Sequence, residues 1–391
     1  MHFYIKFVNL GSVFPKFTFI QYMAQIQRYL EEKILKSLGK RKILIIYGAR
    51  QVGKTTLVKK FLKEFPKNLY LNGDFIDDAE KLAEPTRDMV KQFEDRSLLV
   101  IDEAQKIKDI GIKLKVIFDT LPDLQIIATG SSAFELSNVV NEPLTGMYFS
   151  FNMYPVSVKE AAGLFNLENF LMYGSYPEVV TTADNQTKQK IIQNITSNYL
   201  FKDVLNIEYI KNSRSLGLLL KALALQIGSE VSLNELGNTL DLDAKTVKSY
   251  LDILEKLCII FPINPFFSNK RKSISKLKKY YFYDLGVRNA ILDDFTPIEK
   301  RNDIGALWEN FCIVERMKRN DARDRFVNYY FWRSYKKEEV DLIEVENESI
   351  HGYEFKWGTG KYKIPKEFLD EYKNSSVVIV NRGSSNEFLG I

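Results

Sequence analysis

The sequence predicts an α/β protein with a parallel sheet in its first half and two smaller domains after it. Residues 43–47 are an unbroken apolar run that stops at a glycine and resumes as a helix-like stretch. Residues 98–101 form a second apolar run, which ends in two carboxylates. From residue 216 the pattern changes to helices, a pair of strands and a mixed α/β stretch. The predicted divisions are an N-terminal extension (1–22), a sheet-based core (23–150), a helical lid (151–212), a winged-helix domain (213–296) and a small α/β domain (297–391).

Composition limits the classes of protein and site that this chain can represent. Its 391 residues, 45% of them hydrophobic, are enough for two or three folded domains, and the net charge of +5 alone says little about partners. Cys258 and Cys312 lie among apolar neighbours, which predicts buried free thiols in a reducing, cytoplasmic compartment. His2 and His351 are far apart, so a zinc cluster or a histidine triad is nearly excluded. No apolar run approaches the roughly eighteen residues of a membrane helix, so we expect no membrane partner.

The N-terminal residues leave one alternative open. Residues 1–22 are rich in aromatic and β-branched side chains but lack the continuous apolar core of a signal peptide. They are either an added strand or a stretch upstream of a true start at Met23. From Met23, apolar residues recur every fourth position up to Gly39, which predicts a helix that leads into the sheet.

Residues 48–55 match the pattern G-x-x-x-x-G-K-[ST] between a predicted strand and a predicted helix. Glycines let the backbone curl so that N–H groups point at phosphate oxygens, and the helix N-terminus adds partial positive charge. Lys54 would reach the β and γ phosphates, and the Thr55 hydroxyl would hold Mg²⁺. A plain glycine turn would not explain this Lys-Thr pair. The predicted cofactors are ATP or ADP and Mg²⁺, and the predicted nucleotide-binding residues are Gly48, Ala49, Arg50, Gln51, Val52, Gly53, Lys54, Thr55 and Thr56.

Two carboxylates end the buried strand predicted at residues 98–101. Before this strand, the sequence predicts a short strand at 69–71 and a helix over 79–93. Open α/β sheets bind ligands at the carboxyl ends of their strands. Asp102 would bind Mg²⁺ through water, and Glu103 would orient and deprotonate the attacking water. The alternative is a solvated strand end, which the upstream loop disfavours.

A polar strand end supplies the third catalytic candidate. After a helix predicted over 109–121, a strand over 125–129 ends in the sequence TGSS. A polar side chain there can touch the γ-phosphate or the nucleophilic water, and we assign this contact to Ser131. A plain turn is the alternative.

Three motifs in this order, GARQVGKTT, LLVIDEAQ and IIATGSS, resemble those of AAA+-like archaeal and bacterial ATPases that carry a C-terminal domain of unknown function. The resemblance continues in YFSFNMYPVSVKEA, YGSYPEVV and YLFKDV, and covers essentially everything from Met23 onward. That family usually has an arginine at the position of Met147, so a charge-stabilising role is not carried over to it. Residues 154–212 look helical and should form a lid beside the nucleotide.

The stretch 213–296 has the pattern of a winged helix, with three helices followed by a hairpin. Ser232 and Glu235 predict a capping box that opens the second helix, and Asp243 caps the third. The predicted elements are a helix over 216–227, helices after Ser232 and Asp243, and strands over 259–267 and 278–283.

The tip of the predicted hairpin is strongly basic. Residues 269–279 contain six basic residues and no acid, so the tip would neutralise the backbone phosphates of DNA. The alternative is a solvated loop in a winged helix that only connects domains. The candidate nucleic-acid contacts, called here the wing residues, are Lys270, Arg271 and Lys272.

A second set of carboxylates lies in residues 297–391. Asp341 is followed thirteen residues later by the sequence EFK, which resembles the D…[DE]-x-K site of restriction-endonuclease-like folds. Asp341 and Glu354 would hold a divalent cation, Glu309 could complete its shell, and Lys356 would orient the attacking water. An inactive relative would show a similar pattern, so both alternatives stay open. The predicted elements are helices over 305–318 and 366–372 and strands over 328–332, 339–345, 352–356 and 377–380.

The predicted fold class is α/β: a P-loop NTPase parallel sheet with a helical lid, a winged-helix domain and a small restriction-endonuclease-like domain. We expect a Mg²⁺-dependent P-loop ATPase that uses hydrolysis to drive or switch C-terminal domains that bind DNA or a partner. The alternatives are an ATP-occupied DNA-binding switch with negligible turnover and an ATP-gated, Mg²⁺-dependent nuclease. Glu103 favours turnover, whereas Met147 favours a slow or partner-dependent rate. Oligomerisation, with an arginine supplied by a second subunit, is compatible with the sequence.

Overall fold

The structure is a computed structural model that describes most of the chain. It covers residues 26–130, 144–198, 213–267, 277–336, 338–360 and 362–391. Four predicted features lie outside these residues in whole or in part: the N-terminal extension (1–22), Ser131, the end of the predicted lid (199–212) and the wing residues.

The strands of the first half are β1 (Ile43–Tyr47), β2 (Asn68–Asn72), β3 (Leu98–Asp102), β4 (Gln125–Gly130) and β5 (Tyr148–Asn152). They pair in parallel in the order β2-β3-β4-β1-β5. Every residue of β1 and β3 is buried. Both faces of the sheet are covered, since Leu44 belongs to one apolar cluster and its neighbour Ile43 to the other. Burial on both faces explains the unbroken apolar runs in the sequence, and the predicted parallel α/β sheet is confirmed.

Helices flank this sheet, and one predicted helix is wrong in extent. The stretch 79–93 is not one helix, because helices end at Glu80 and begin again at Arg87, on either side of Pro85. Proline lacks an N–H and restricts the residue before it, so a single helix does not run through this position. The Thr86 side chain caps the second helix by accepting a hydrogen bond from the next turn. The helices of this half are α1 (Tyr29–Leu35), α2 (Lys54–Leu62), α3 (Ile76–Glu80), α4 (Arg87–Lys91) and α5 (Ile110–Thr120).

Residues 158–198 are largely helical and pack on the second half of the chain. A Cβ added to Gly286 would lie 2.0 Å from the Tyr173 carbonyl oxygen, so this close approach requires glycine. Nearby, the Asn289 side chain donates to the carbonyl oxygens of Leu171 and Met172, each at 2.9 Å. A position of these helices beside a bound nucleotide remains a prediction. The helices are α6 (Val158–Ala161), α7 (Leu167–Tyr173), α8 (Pro177–Thr181) and α9 (Asn185–Asn198).

The described strands of the second half are β6 (Glu230–Val231), β7 (Ile260–Pro265), β8 (Lys278–Phe282), β9 (Asn328–Arg333), β10 (Glu339–Glu346), β11 (Ser349–Lys356) and β12 (Ser375–Asn381). They form one sheet in the order β12-β11-β10-β9-β7-β8-β6. The link is a parallel pairing of β7 with β9, in which Asn264 lies opposite Tyr330. The predicted hairpin and the predicted C-terminal strands therefore share a sheet. The domain boundary after residue 296 stays a prediction, but it does not separate two sheets.

The helices of the second half are α10 (Ser213–Leu225), α11 (Leu233–Leu240), α12 (Ala244–Lys256), α13 (Leu285–Leu292), α14 (Ile304–Ala322), α15 (Lys366–Glu371) and α16 (Ser385–Leu389). Ser232 and Asp243 cap α11 and α12 at the predicted positions. The assignment of α10–α12 and the hairpin as a winged helix stays a prediction.

The structure also bears on the two cysteines and on the expected absence of a membrane helix. Cys312 is buried as predicted, whereas Cys258 is only half-buried, because it lies just beyond the end of α12. Both thiols are free. None of the helices in the described ranges is long and apolar enough to cross a membrane.

Candidate nucleotide-binding site

The predicted phosphate loop joins the end of β1 to the start of α2. Gly53, the residue directly before α2, has a φ of 102°, a backbone conformation that residues with a side chain rarely adopt. A Cβ added to Gly48 would lie 2.3 Å from the Met153 carbonyl oxygen, so the loop and the segment after β5 touch through backbone. The two glycines of the motif are thus required by the path of the loop. The other predicted binding residues, Ala49, Arg50, Gln51, Val52 and Thr56, follow this path into the first turn of α2.

The Lys54 side chain lies inside the curl of the loop. Its Nζ donates to the carbonyl oxygens of Gly48 and Ala49, at 2.7 and 2.8 Å, and the residue is only 4% exposed. Burial lowers the pKa of this ammonium, and the nearby Glu103 carboxylate partly offsets the effect. Incoming phosphate oxygens would replace the two loop carbonyls as acceptors, which is the role predicted for Lys54.

The Asp102 carboxylate, at the end of β3, accepts hydrogen bonds from three hydroxyl groups. Thr55 Oγ1 and Tyr70 Oη donate to its Oδ2, at 2.6 and 2.7 Å, and Thr129 Oγ1 donates to its Oδ1. Burial and the bond to Asp102 raise the pKa of Tyr70. The structure therefore brings together Thr55 and Asp102, the two residues predicted to hold Mg²⁺.

Glu103 follows Asp102 with a left-handed φ of 50° and is half-buried. Its N–H donates to Thr129 Oγ1 at 3.3 Å, and its Oε2 accepts a hydrogen bond from Gln105 Nε2 at 2.6 Å. The Glu103 carboxylate lies near enough to Lys54 to affect the pKa of that ammonium, which places it beside the Asp102 site. A carboxylate in this place can accept a proton from water.

The donor set at Thr55 and Asp102 fits Mg²⁺. A hydroxyl and a carboxylate are hard oxygen ligands, which Mg²⁺ prefers, and Mg²⁺ in nucleotide sites takes only one or two protein ligands beside phosphates and water. The phosphate oxygens would come from the nucleotide held by the adjacent loop. Thr55 and Asp102 therefore fit the protein side of a Mg²⁺ site, and the presence of the ion stays a prediction.

Sequence reasoning missed three residues at this site. Tyr70 and Thr129 are bonded to Asp102 and lie on β2 and β4, the strands that flank β3; only Thr129, next to the end of β4, had a strand-end signal. Arg28 lies 7% exposed and donates through Nη1 to the Val52 carbonyl oxygen at 2.7 Å. A single arginine before an amphipathic helix carries no sequence signal for this role. Ser131, which was assigned to the γ-phosphate, lies outside the described residues.

A second polar cluster contains all four residues of the predicted C-terminal site. Lys356 Nζ lies 2.6 Å from Glu354 Oε1, and Asp341 Oδ2 accepts a hydrogen bond from the Phe355 N–H at 2.8 Å. Burial and the neighbouring Asp341 raise the pKa of both Glu309 and Glu354 to about 7.

The C-terminal cluster does not have the geometry of a metal site. Lys279, which the sequence analysis did not assign to it, places its Nζ 3.4 Å from Glu309 Oε1 and 3.9 Å from Asp341 Oδ1. Among the residues that the structure describes, no group of three or more His, Cys, Asp or Glu side chains is arranged to hold a metal ion. The cluster is held by ammonium groups in this arrangement, and a metal there stays a prediction.

Comparison with known families gives three successive matches along the chain. Residues 40–162 match the AAA domain, residues 164–297 match a domain of unknown function (DUF8612), and residues 304–390 match another domain of unknown function (DUF4143). The AAA match contains the phosphate loop and the Asp102 site. The four residues of the predicted C-terminal site lie in the third match, whereas Lys279 lies in the second.

Two relatives that are similar over most of the chain are described as uncharacterized proteins. An uncharacterized protein of Mycobacterium tuberculosis is 25% identical over 327 residues, covering 83% of this chain and 72% of its own. One from Methanocaldococcus jannaschii is 25% identical over 356 residues, covering 83% and 76%. A Walker-type ATPase of Pyrococcus abyssi, a solved structure, is 15% identical with a TM-score of 0.50 and covers 68% of this chain and 96% of its own, which shows a shared fold. By motif, fold and family match, residues 40–162 are an AAA domain with a P-loop, and the chain resembles P-loop ATPases that carry a C-terminal domain of unknown function.

Proposed function

We propose that this chain binds ATP with Mg²⁺ at the loop of residues 48–56, hydrolyses it, and uses the change of nucleotide state to act on its second half. One observation carries the proposal: Thr55 Oγ1 lies 2.6 Å from Asp102 Oδ2, directly beside the phosphate loop. Two Mg²⁺-type ligands from distant parts of the sequence meet at the edge of the sheet where open α/β sheets bind ligands.

The roles of the residues follow from their positions. Lys54 exchanges its loop carbonyls for phosphate oxygens and neutralises their charge. Thr55 would hold the cation directly and Asp102 would hold it through water; the cation, when bound, neutralises charge on the phosphate oxygens during transfer. Glu103 accepts a proton from the attacking water, and its bonds to Thr129 and Gln105 orient the turn that carries it.

A buried polar route supports action on the second half. Arg28 pairs with Glu160 through Nε and Oε1 at 3.1 Å, so the support of the loop is tied to the start of α6. The Val158 N–H, also at the start of α6, donates to Glu315 Oε2 on α14 at 2.8 Å. Glu315 in turn pairs with Lys318 at 2.8 Å. A shift of the phosphate loop would therefore change the contacts that connect it to α14.

The experiment separates nucleotide binding from turnover. We expect Lys54→Ala to abolish tight ATP binding, because Lys54 neutralises phosphate in the ground state and the transition state alike. Glu103→Gln should keep ATP affinity and stop phosphate release, because Glu103 acts only on the attacking water. ATP affinity would be measured by calorimetry and turnover by phosphate release.

The matched control is Lys63→Ala, which removes an exposed lysine at the other end of α2. It should leave affinity and turnover unchanged. Equal loss of ATP affinity in Lys54→Ala and Glu103→Gln would contradict the assignment of roles.

DNA binding and nuclease action remain predictions from sequence. The wing residues lie outside the described part of the chain, so no contact in the structure bears on DNA binding. The C-terminal carboxylates lie in one cluster, but two of them, Glu309 and Glu354, form ion pairs with Lys279 and Lys356. Neither alternative has an observation in its favour comparable to the Thr55–Asp102 contact.

A further inference from the structure

The C-terminal polar cluster draws its side chains from separate elements of the second half. Lys279 comes from β8, Glu309 from α14, Asp341 from β10, and Glu354 and Lys356 from β11. The side chains of Lys279 and Asp341 are 5% and 6% exposed. Burying this many charged groups together is costly unless each is compensated, so their arrangement is constrained.

Lys279 compensates the two carboxylates farthest from Lys356. Its Nζ lies 3.4 Å from Glu309 Oε1 and 3.9 Å from Asp341 Oδ1. Tyr281, two positions along β8 and on the same face, donates its hydroxyl to the same Glu309 oxygen at 2.5 Å. Lys356 is engaged separately with Glu354 Oε1 at 2.6 Å.

The position of Lys279 conflicts with a divalent cation on the same carboxylates. A divalent ion bound to Glu309 and Asp341 would sit about 2.0–2.6 Å from their oxygens. The Lys279 ammonium would then lie within a few ångströms of the ion, where two like charges repel strongly in a buried site. Lys279 and a metal ion are therefore alternatives at these oxygens.

The cluster nevertheless has more carboxylates than ammonium groups, and one carboxylate oxygen lacks a partner in the part of the chain that the structure describes. Glu354 Oε2 is buried and has no hydrogen-bond partner among the described residues. Three carboxylates face only two ammonium groups, so loss of Lys279 would leave two uncompensated negative charges if all groups are ionised. That is the charge that a divalent cation neutralises.

We infer that Lys279 is a built-in cation that takes the place of a divalent ion between Glu309 and Asp341, beside the Glu354 oxygen that is unpartnered in the described part of the chain. With Lys279 in place, the cluster is a neutralised polar core and binds no metal. Removal of the ammonium opens the site. Because Lys279 lies outside residues 304–390, which match the domain of unknown function, the block is supplied by the preceding part of the chain through the shared sheet.

The test uses the full chain, since a fragment that starts after β8 would lack Lys279. We would measure Mn²⁺ binding to the nucleotide-free protein by electron paramagnetic resonance, together with the melting temperature with and without Mn²⁺. Lys279→Met should gain one Mn²⁺ site that binds at least about tenfold tighter than any site in the wild type, because one buried repulsion is removed. The added substitution Asp341→Asn should abolish the gained site.

The matched control is Lys278→Met, which removes the neighbouring lysine from the opposite face of β8 and should gain no site. If Lys279→Met does not fold, Lys279→Gln keeps a polar side chain of similar length without the charge. The inference is overturned if neither variant gains a Mn²⁺ site. It is equally overturned if the wild type already binds Mn²⁺ in a manner that Asp341→Asn removes.

Discussion

The Arg28 guanidinium is hydrogen-bonded to the phosphate loop. Replacing Arg28 tests how far ATP binding and stability depend on this contact. The guanidinium donates to the Val52 carbonyl oxygen at 2.7 Å and to the Tyr154 carbonyl oxygen, and it pairs with Glu160 at 3.1 Å. The Arg28 and Glu160 side chains are only 8% and 7% exposed. Arg28→Met keeps an apolar stem of similar length and removes all of these donors.

The loss of stability expected for Arg28→Met depends on the hydrogen bonds that Glu160 keeps in the variant. Breaking one partner of a buried pair costs about 3–5 kcal/mol, because the other charge is left uncompensated. Glu160 still accepts hydrogen bonds from the N–H groups of Tyr29 and Ser157, at 2.9 and 2.8 Å, so the cost should lie near the lower end. We expect Arg28→Met to lower the free energy of unfolding by about 3 kcal/mol. Loss of the Val52 anchor should weaken ATP binding by about tenfold, the value of roughly one hydrogen bond.

Denaturant unfolding and calorimetric ATP titration would measure these two effects. The double variant with Glu160→Met removes both charges, so it should be more stable than the sum of the single effects predicts, with a coupling of at least about 1 kcal/mol. Arg87→Met, at an exposed arginine of α4, is the control and should change stability by less than about 0.5 kcal/mol.

Two results would refute the reasoning about Arg28. A loss of stability below about 1 kcal/mol would mean that the pair behaves as a solvated surface contact. A normal ATP affinity in a protein that is destabilised as expected would mean that Arg28 holds α6 but does not position the phosphate loop.

Three further predictions concern other parts of the chain. Gly48→Ala should abolish ATP binding, measured by calorimetry, because the new Cβ would lie 2.3 Å from the Met153 carbonyl oxygen; a normal affinity would contradict the close approach. Burial raises the pKa of Asp303, but the bond to Arg301 and further arginine contacts outweigh it and bring the pKa down to about 2. A lowered pKa stabilises the fold above the unfolded value, so the destabilisation by Asp303→Asn at pH 7 should shrink as the pH falls from about 4 towards 2, as followed by denaturant unfolding, and a pH-independent difference would contradict it. Replacing the wing residues by serine should flatten the salt dependence of DNA affinity, measured by fluorescence anisotropy, because each phosphate contact releases about one counterion; wild-type protein without DNA affinity at low salt would count against a DNA-binding wing.

The parts of the fold that the sequence predicts well are those in which local pattern and burial agree. The apolar runs of β1 and β3 are buried on both faces, so composition alone marks them as interior strands. The predicted helix over 79–93 is wrong in extent because Pro85 interrupts it for steric reasons. The sequence prediction also misses α16, a helix of five residues that is held from outside: Arg319 donates to the carbonyl oxygen of Glu387 at 2.7 Å.

In the two candidate sites, too, the sequence predicts some functional residues and misses others. Gly48, Lys54 and Thr55 follow one another in a motif whose chemistry depends on local backbone, so the sequence suffices to place them. Arg28 and Lys279 act through contacts with residues far along the chain, 132 positions to Glu160 and 30 to Glu309. No local pattern distinguishes either from a solvated basic residue, and only the three-dimensional packing shows what each one neutralises.

The shared second sheet limits the motions by which nucleotide could act on the second half. Because β7 pairs with β9, a displacement of the hairpin relative to the C-terminal strands would break backbone hydrogen bonds as well as the Lys279 contacts. Between α14 and the helices α1 and α6, by contrast, the described contacts include single side-chain hydrogen bonds, such as those of Glu315 with the Val158 N–H and of Lys33 with Asp321. Such bonds can break separately from one another, whereas a strand ladder moves as a unit. A nucleotide-driven change is therefore expected at the α14 boundary, with the hairpin and the carboxylate cluster moving together behind it.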